Sequence, residues 1–309
     1  MMNHQAFSQI DHRPWACPGR PWLMRQSWCD LLFAHWPVPA SLLRPLVPSS
    51  LEIDEFDHTS WVGVVPFRME GVSLRYAPDV PGLSAFPEIN LRLYVSANGR
   101  PGVWFLSLDA TNALAVWAAR RFFYLPYFNA RISISHSGPN LHYRSVRSDG
   151  EQSAVFSATY GPKGDVYLAK PGSLEHWLTE RYCLYAEDKN GRILRTEVHH
   201  RPWPLQSADA LIEENTVGNV HGIELDCHPA LVHFSKRIDV VAWRPRDVRL
   251  SADYLVMSCF TLRRKCSENC VYLENDVYIC TLSLSNKEND LSPLNGMLAG
   301  RSNHENLSR

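Results

Sequence analysis

Four turn signals along the middle of the chain decide what it can fold into. Asn98-Gly99 divides residues 89–97 from 102–109, and Ser137-Gly138-Pro139-Asn140 divides 130–136 from 141–147. Asp149-Gly150 then sets off residues 153–160, and Asn190-Gly191 precedes a run at 192–200. Asn-Gly favours the positive φ angles of a tight hairpin turn. Strands joined this closely cannot be parallel, because a parallel crossover takes a dozen or more residues. The spacing therefore predicts a meander of antiparallel strands. Residues 61–69 and 238–243 are strand-like too. In one strand Ile89, Leu91, Leu93 and Val95 point one way, and Glu88, Asn90, Arg92 and Tyr94 the other. A sheet of this size is expected to curl into a barrel, which removes its exposed edges.

Helices are few. Residues 111–124 carry Leu114, Trp117, Ala118 and Phe122 near helical spacing, with Asp109 or Thr111 as the starting cap and Pro126 beyond the end. Residues 173–186 read as the clearest helix, with Leu174, Trp177, Leu178, Arg181, Tyr182 and Tyr185 in one stripe and Ser173 as N-cap. Residues 39–46 suggest a short third helix. The tetrapeptide His-Arg-Pro-Trp occurs at 12–15 and again at 200–203, which reads as two packed loop corners. Composition changes near Arg249. Residues 1–249 read as one domain, and 250–309, which end in a Ser- and Asn-rich stretch, as an appendage whose last part is expected to be disordered.

Charge and motifs exclude several function classes. Lys plus Arg number 31 and Asp plus Glu 32, so the net charge of −1 offers no footprint for nucleic acid or an anionic membrane. No apolar run is long enough to span a bilayer, and a cytoplasmic protein is expected. The eight cysteines of a chain this long read as mostly free thiols. Phosphate-binding glycine loops, a Gly-x-Ser-x-Gly elbow and His-Glu-x-x-His are all absent, so no nucleotide, metal or other cofactor is expected. His199 and His200 are adjacent on a strand and face opposite sides, so at most one reaches a given site.

Glu88, Asn90 and Arg92 are the trio of interest. Their two-residue spacing puts a carboxylate, an amide and a guanidinium on one face of one strand. On an open sheet that face is simply solvated. Inside a barrel it would line a pocket, with arginine binding an anion and glutamate moving a proton.

Several stretches together carry a resemblance: WCDLLFAHWP at 28–37, WVGVVPFRM at 61–69, LSAFPEIN at 83–90, GVWFLSLD at 102–109, RRFFYLPYF at 120–128, GSLEHWLTERYCLY at 172–185 and VHHRPWPL at 198–205. By these the chain resembles the YqjF-like uncharacterised proteins, a domain-of-unknown-function family related to acetoacetate decarboxylase, over roughly residues 12–249. The resemblance implies a mainly β (α+β) chain, an antiparallel acetoacetate decarboxylase-like β-barrel with a few covering helices. LRPLVPSSLEID at 43–54 looks like the decarboxylases' leucine-arginine segment, and Glu88 falls where they carry a pocket glutamate. In the 119–128 segment Arg120 is kept, Arg121 replaces a glutamate, and Tyr127 stands where the Schiff-base lysine should be.

A phenol cannot form the imine that decarboxylation of a β-keto acid requires. Of the six lysines, Lys163 reads as a turn residue and Lys170 precedes Pro-Gly. The resemblance thus implies the fold and a polar pocket for a small carboxylate or carbonyl compound without the decarboxylase chemistry. In an enzyme, Glu88 would be the acid or base, Tyr127 would supply a hydroxyl, and Asn90, Arg92, Arg120 and Arg121 would hold the ligand. A non-catalytic binding protein and a structural scaffold remain open beside it, as does homo-oligomerisation. A small molecule is the expected partner.

Overall fold

The computed structural model describes residues 4–149 and 153–250. The appendage, beyond Leu250, and Cys259, Cys266, Cys270 and Cys280 lie outside the described residues. The chain runs through β1 (Met24–Pro37), α1 (Ala40–Leu43), β2 (Glu52–Ile53), β3 (Trp61–Leu74), β4 (Phe86–Ala97), β5 (Arg100–Ala110), α2 (Ala113–Phe122), β6 (Tyr127–Ser137), β7 (Asn140–Arg147) and β8 (Val155–Tyr167). It continues through α3 (Leu174–Thr179), β9 (Cys183–Glu187), β10 (Ile193–His199), β11 (Leu205–Asn215), β12 (Leu231–Ala242) and β13 (Arg246–Asp247). No helix among the described residues is long and apolar enough to cross a membrane. Cys17, Cys29, Cys183 and Cys227 are free thiols.

The hairpins at Asn98-Gly99, Ser137–Asn140 and Asn190-Gly191 form where the turn residues place them, while Gly150 lies outside the described residues. Asn98 and Gly99 take φ of 53° and 69° between β4 and β5, and the β6–β7, β7–β8 and β9–β10 pairs are all antiparallel. The sheet is not wholly antiparallel, however. β5 pairs in parallel with β6 at Leu108–Ala110 and with β9 at Val103–Trp104. Tight turns forbid parallel pairing only between the strands they join. α2 supplies a crossover from β5 to β6, and β9 arrives from much further along the chain.

Two helix expectations need correction. α2 is capped by Asn112, whose side chain accepts from the Ala115 N–H at 3.1 Å, and not by Asp109 or Thr111. The helix expected over 173–186 does start at its Ser173 cap, but α3 ends at Thr179. The rest of that stripe becomes β9, where Cys183 and Tyr185 enter one core and Leu184 and Ala186 another. Pairing of β9 with β5 and β10 outweighs a helical pattern that short alternation also satisfies.

The order of pairing explains the two cores. Strands β12, β1, β3, β4 and β5 lie side by side. Beyond β5 the pairing divides, one branch running through β9 and β10 and the other through β6, β7, β8 and β11, and both return to β12. The shared strands are therefore covered on both faces. Leu32, Ala34, Val64, Ile89 and Leu91 belong to one cluster, and Leu31, Phe33, Val65, Phe67 and Leu108 to the other. Near-continuous apolar runs such as 61–67 follow from this two-sided burial.

The two His-Arg-Pro-Trp segments meet. His12 Nε2 donates to the His200 carbonyl at 2.9 Å. Arg13 donates to the Val198 carbonyl and pairs with Glu197 at 3.0 Å, and the Trp15 indole donates to Glu197.

Gly102 permits the parallel contact of β5 with β9. A Cβ there would stand 2.7–2.8 Å from the Tyr185 ring, the Cys183 carbonyl oxygen and Cys183 Sγ. Gly102→Ala is expected to destabilise the protein by about 1–3 kcal/mol. Urea unfolding should show a lower midpoint at unchanged slope; an unchanged midpoint would contradict the close approach.

Candidate active site

A cavity of about 230 Å3 lies in the second core, beneath α2 and beside β9 and β10. Small side chains make the room: Ala115, Ala118 and Ala119 turn the inner face of α2 towards it. Most of its wall is apolar, with Leu31, Val65, Phe67, Leu108, Val198 and Trp203 among the lining. Against that wall stand Glu88, Asn90, Arg92, Tyr127, Thr179 and Arg181. The polar face of β4 is thus enclosed and not solvated: Glu88, Asn90 and Arg92 are 1%, 6% and 8% exposed.

Glu88 lies opposite Phe67 of β3 and Ala110 of β5. Its Oε2 accepts from the Tyr127 hydroxyl at 2.7 Å, and no cationic side chain bonds to it among the described residues. Burial pushes its carboxyl up to about 8; the Tyr127 hydrogen bond opposes this and the charge of Asp109 adds to it. Burial, with Glu88 next in weight, also raises the Tyr127 phenol. At neutral pH the pair is therefore uncharged, and the carboxyl keeps a proton that a second acceptor can receive. Asp109 is itself held in a buried, forked pair with Arg147, its shortest contact being 2.9 Å.

Tyr127 reaches this position through the turn after α2. Tyr124 takes φ of 56°, a left-handed conformation uncommon for an aromatic residue. The Pro126 carbonyl accepts from the Leu108 N–H, and β6 begins at Tyr127. Arg120 does not line the cavity. Its Nε donates to the Tyr127 carbonyl at 2.6 Å and its Nη2 pairs with Asp149 at 2.9 Å, so it steadies Tyr127 from outside. Arg121 is exposed, over the Phe122 ring.

The other end of the cavity is cationic. Arg92 donates to the Tyr94 hydroxyl and to the Leu178 carbonyl, both at 3.1 Å from Nη2. Arg181, also 6% exposed, pairs with Asp54 through Nη1 at 2.5 Å and donates from Nε to the Trp177 carbonyl. Both guanidinium groups lie near the Tyr94 ring, Arg92 at 5.5 Å and Arg181 at 5.0 Å from its centre. Arg181 Nη2 and Asn90 Oδ1 are buried with no hydrogen-bond partner among the described residues, as are the indole N–H groups of Trp28 and Trp203. Such groups are costly unless something bonds them.

Sequence reasoning missed Arg181, Thr179 and His200. Arg181 had a signal: a charged residue in the middle of the apolar 174–185 stripe. Of the histidine pair, His200 lines the cavity, while His199 stacks on Phe7 and His12. Lys163 lies within β8 and not in a turn, paired with Asp209. Lys163, Lys170, Lys189 and Lys236, the lysines among the described residues, are all exposed.

Solved structures with this arrangement of elements define the class. The enduracididine biosynthesis enzyme MppR, solved with pyruvate, superposes with a TM-score of 0.51 at 14% identity, covering 74% of this chain and 91% of its own. An acetoacetate decarboxylase gives 0.50 at 16% identity, covering 80% and 98%. An acetoacetate decarboxylase-like enzyme from Sphingomonas wittichii RW1 gives 0.50 at 12% identity, covering 74% and 95%. The chain therefore has an acetoacetate decarboxylase-like fold. Within that class it belongs to the DUF2071 family of uncharacterized conserved proteins, whose model matches residues 25–239. It is 46% identical over 226 residues to YqjF of Bacillus subtilis (strain 168), covering 73% of this chain and 93% of that protein.

The Glu88 environment has a thermodynamic signature. Its carboxyl goes from an ordinary value of 4.5 to about 8 on folding. The folded state keeps the proton longer, so stability falls as pH rises from about 4.5 to about 8 and then levels off. Glu88→Gln cannot ionise and is expected to lose this slope, exceeding wild type by roughly 2–5 kcal/mol at alkaline pH. Urea unfolding of both proteins across that range tests it; parallel profiles would mean that Glu88 titrates normally.

Proposed function

We propose that this protein is an acid–base enzyme for a small carbonyl compound bearing a carboxylate, bound inside an acetoacetate decarboxylase-like barrel, and that it works without a Schiff base. The two returning branches of strand pairing are read here as the closed barrel. One observation carries the proposal: a buried, hydrogen-bonded Glu88–Tyr127 pair, with no cationic partner for Glu88 among the described residues, at the wall of a mostly apolar cavity. A glutamate placed there for structure alone would be expected to carry a cationic partner, and Arg92, on the same strand, bonds Tyr94 and Leu178 instead.

The chemistry follows from the proton inventory. A substrate carbonyl oxygen would accept the Glu88 proton while Tyr127 remains bonded to Oε2 and steadies the carboxylate left behind. That carboxylate would then take a proton from the carbon beside the carbonyl, giving the enol and restoring the carboxyl. Arg92 would hold the substrate's carboxylate, and the apolar wall would exclude water. MppR is solved with pyruvate, which supports a small oxo acid as the kind of ligand this fold accommodates. The resemblance sets Tyr127 where the decarboxylases carry their lysine; that, with the exposure of the four lysines among the described residues, supports chemistry without an imine.

Thermal-shift screening of small oxo acids should find ligands that Glu88→Gln loses or binds differently. With such a ligand, wild type should catalyse exchange of the hydrogens beside the carbonyl into deuterated water, followed by NMR. Glu88→Gln is expected to slow this by about 10²–10⁴-fold. Borohydride with the same ligand should leave no adduct on any lysine. Exchange at equal rates in both proteins would reduce the site to a binding pocket, and a trapped lysine would restore the imine route.

A further inference from the structure

The cavity has two distinct poles. Glu88 and Arg92 are four residues apart on one extended strand, which separates their Cα atoms by about 13 Å. Asn90 stands between them on the same face, its Oδ1 without a partner. The first pole is uncharged. The second holds two buried guanidinium groups, and Asp54 is the one carboxylate bonded to either among the described residues. Among the described residues Arg92 bonds only a phenol oxygen and a backbone carbonyl besides its ring contacts. Arg181 keeps one guanidinium nitrogen, Nη2, buried and unbonded among the described residues. Buried charges are ordinarily paired, so this wall lacks one negative charge.

We propose that the missing charge is the ligand's carboxylate, held by Arg92 and Arg181 together, and that the ligand is an oxo acid long enough to bring its carbonyl to Glu88. The carbonyl end rests on the acid–base reading above; the carboxylate end stands on the unbalanced arginines alone. Length follows from the separation of the poles. In a 2-oxo acid the carbonyl adjoins the carboxylate and cannot touch both ends. A cavity of about 230 Å3 has room for roughly eight groups the size of water. That fits a five-carbon 4-oxo acid such as levulinate, whose methylene spacer would lie against Leu31, Val65 and Leu108. Asn90 Oδ1 can accept only from a donor, so a hydroxyl or a bound water on the spacer would satisfy it.

Calorimetric titration of the full chain with levulinate, acetoacetate, pyruvate, valerate and methyl propyl ketone tests each part. Levulinate should bind at least about tenfold more tightly than pyruvate. Arg92→Gln, and separately Arg181→Gln combined with Asp54→Asn so that no buried carboxylate is stranded, should each weaken levulinate and valerate by about tenfold to a hundredfold. Both should leave the neutral ketone within about twofold of wild type. Circular dichroism and urea midpoints check that the variants fold; if Arg92→Gln does not, Arg92→Lys, which keeps the charge but loses the fork, should show an intermediate loss. Unchanged levulinate affinity in both arginine variants would overturn the carboxylate site. If Glu88→Gln still lost ketone binding, the acid–base reading would survive that failure. Pyruvate binding as tightly as levulinate would overturn the two-pole length. Loss of carboxylate binding in the arginine variants, with every ligand indifferent to Glu88→Gln, would support the carboxylate site and sink the acid–base reading.

Discussion

Burial of the central strands on both faces is the constraint from which the rest follows. A strand in an ordinary two-layer protein can leave one face to water. β4 cannot, because Ile89, Leu91 and Leu93 on one face enter one core while Glu88, Asn90 and Arg92 on the other are buried as well. Every polar atom it carries must find a partner inside the protein or wait for a ligand. Ile89, Leu91 and Leu93 meet this condition by being apolar. Glu88 meets it through Tyr127, and Arg92 through Tyr94 and Leu178. Asn90 Oδ1 does not meet it at all.

The two ends of the cavity solve the cost of burial in opposite ways. At one end the protein avoids charge, since an isolated carboxylate in an apolar wall is unfavourable enough to hold its proton. At the other end arginine cannot give up its proton, so its charge must be dispersed. Aromatic faces do part of this: the Tyr94 ring lies near both guanidinium groups, and Trp177 lies 4.2 Å from Arg181. His35, hydrogen-bonded to Tyr94 and fully buried, is pushed well below its ordinary value by burial and by Arg92, and adds no further charge there. One fold therefore presents a neutral hydrogen-bond donor and a fixed cation to the same small volume.

Much of the fold was legible because hairpins are local. Asn98-Gly99 and Asn190-Gly191 encode their turns in two residues, and the structure forms them there. The parallel contacts of β5 were not legible, since they join segments brought together only by the branched pattern of pairing. Residues 182–186 fit a helical stripe for a related reason: both faces of this short strand are apolar, Cys183 and Tyr185 entering one core and Leu184 and Ala186 the other, so no polar face marks it as a strand. The polar trio on β4 was visible, and so was Tyr127 through the resemblance. Whether that face was wet or enclosed was undecided until both branches of the sheet were seen. Arg120 was drawn to the site by its neighbours in sequence, yet it grips the Tyr127 carbonyl from outside. Arg181 is hidden in the sequence because a helical stripe accounts for its spacing.

The pairing of β1 with β12 has a consequence for how the chain comes to be folded. Met24 lies opposite Ala242, and His35 opposite Leu231. On a ribosome, β1 is among the first strands made, and this partner is nearly the last of the described strands to appear. Neither branch of the sheet can close before then, and His12 must likewise wait for His200. Contacts this distant in sequence slow folding, because the chain between them loses its freedom before they form. During that delay the apolar stretch from Leu31 to Trp36 has an open edge. Its best temporary companion is β3, which follows soon after and pairs along β1's other border. The early β1–β3–β4 meander is thus a nursery for the cavity, carrying Glu88, Asn90 and Arg92 on one face before any wall exists to enclose them.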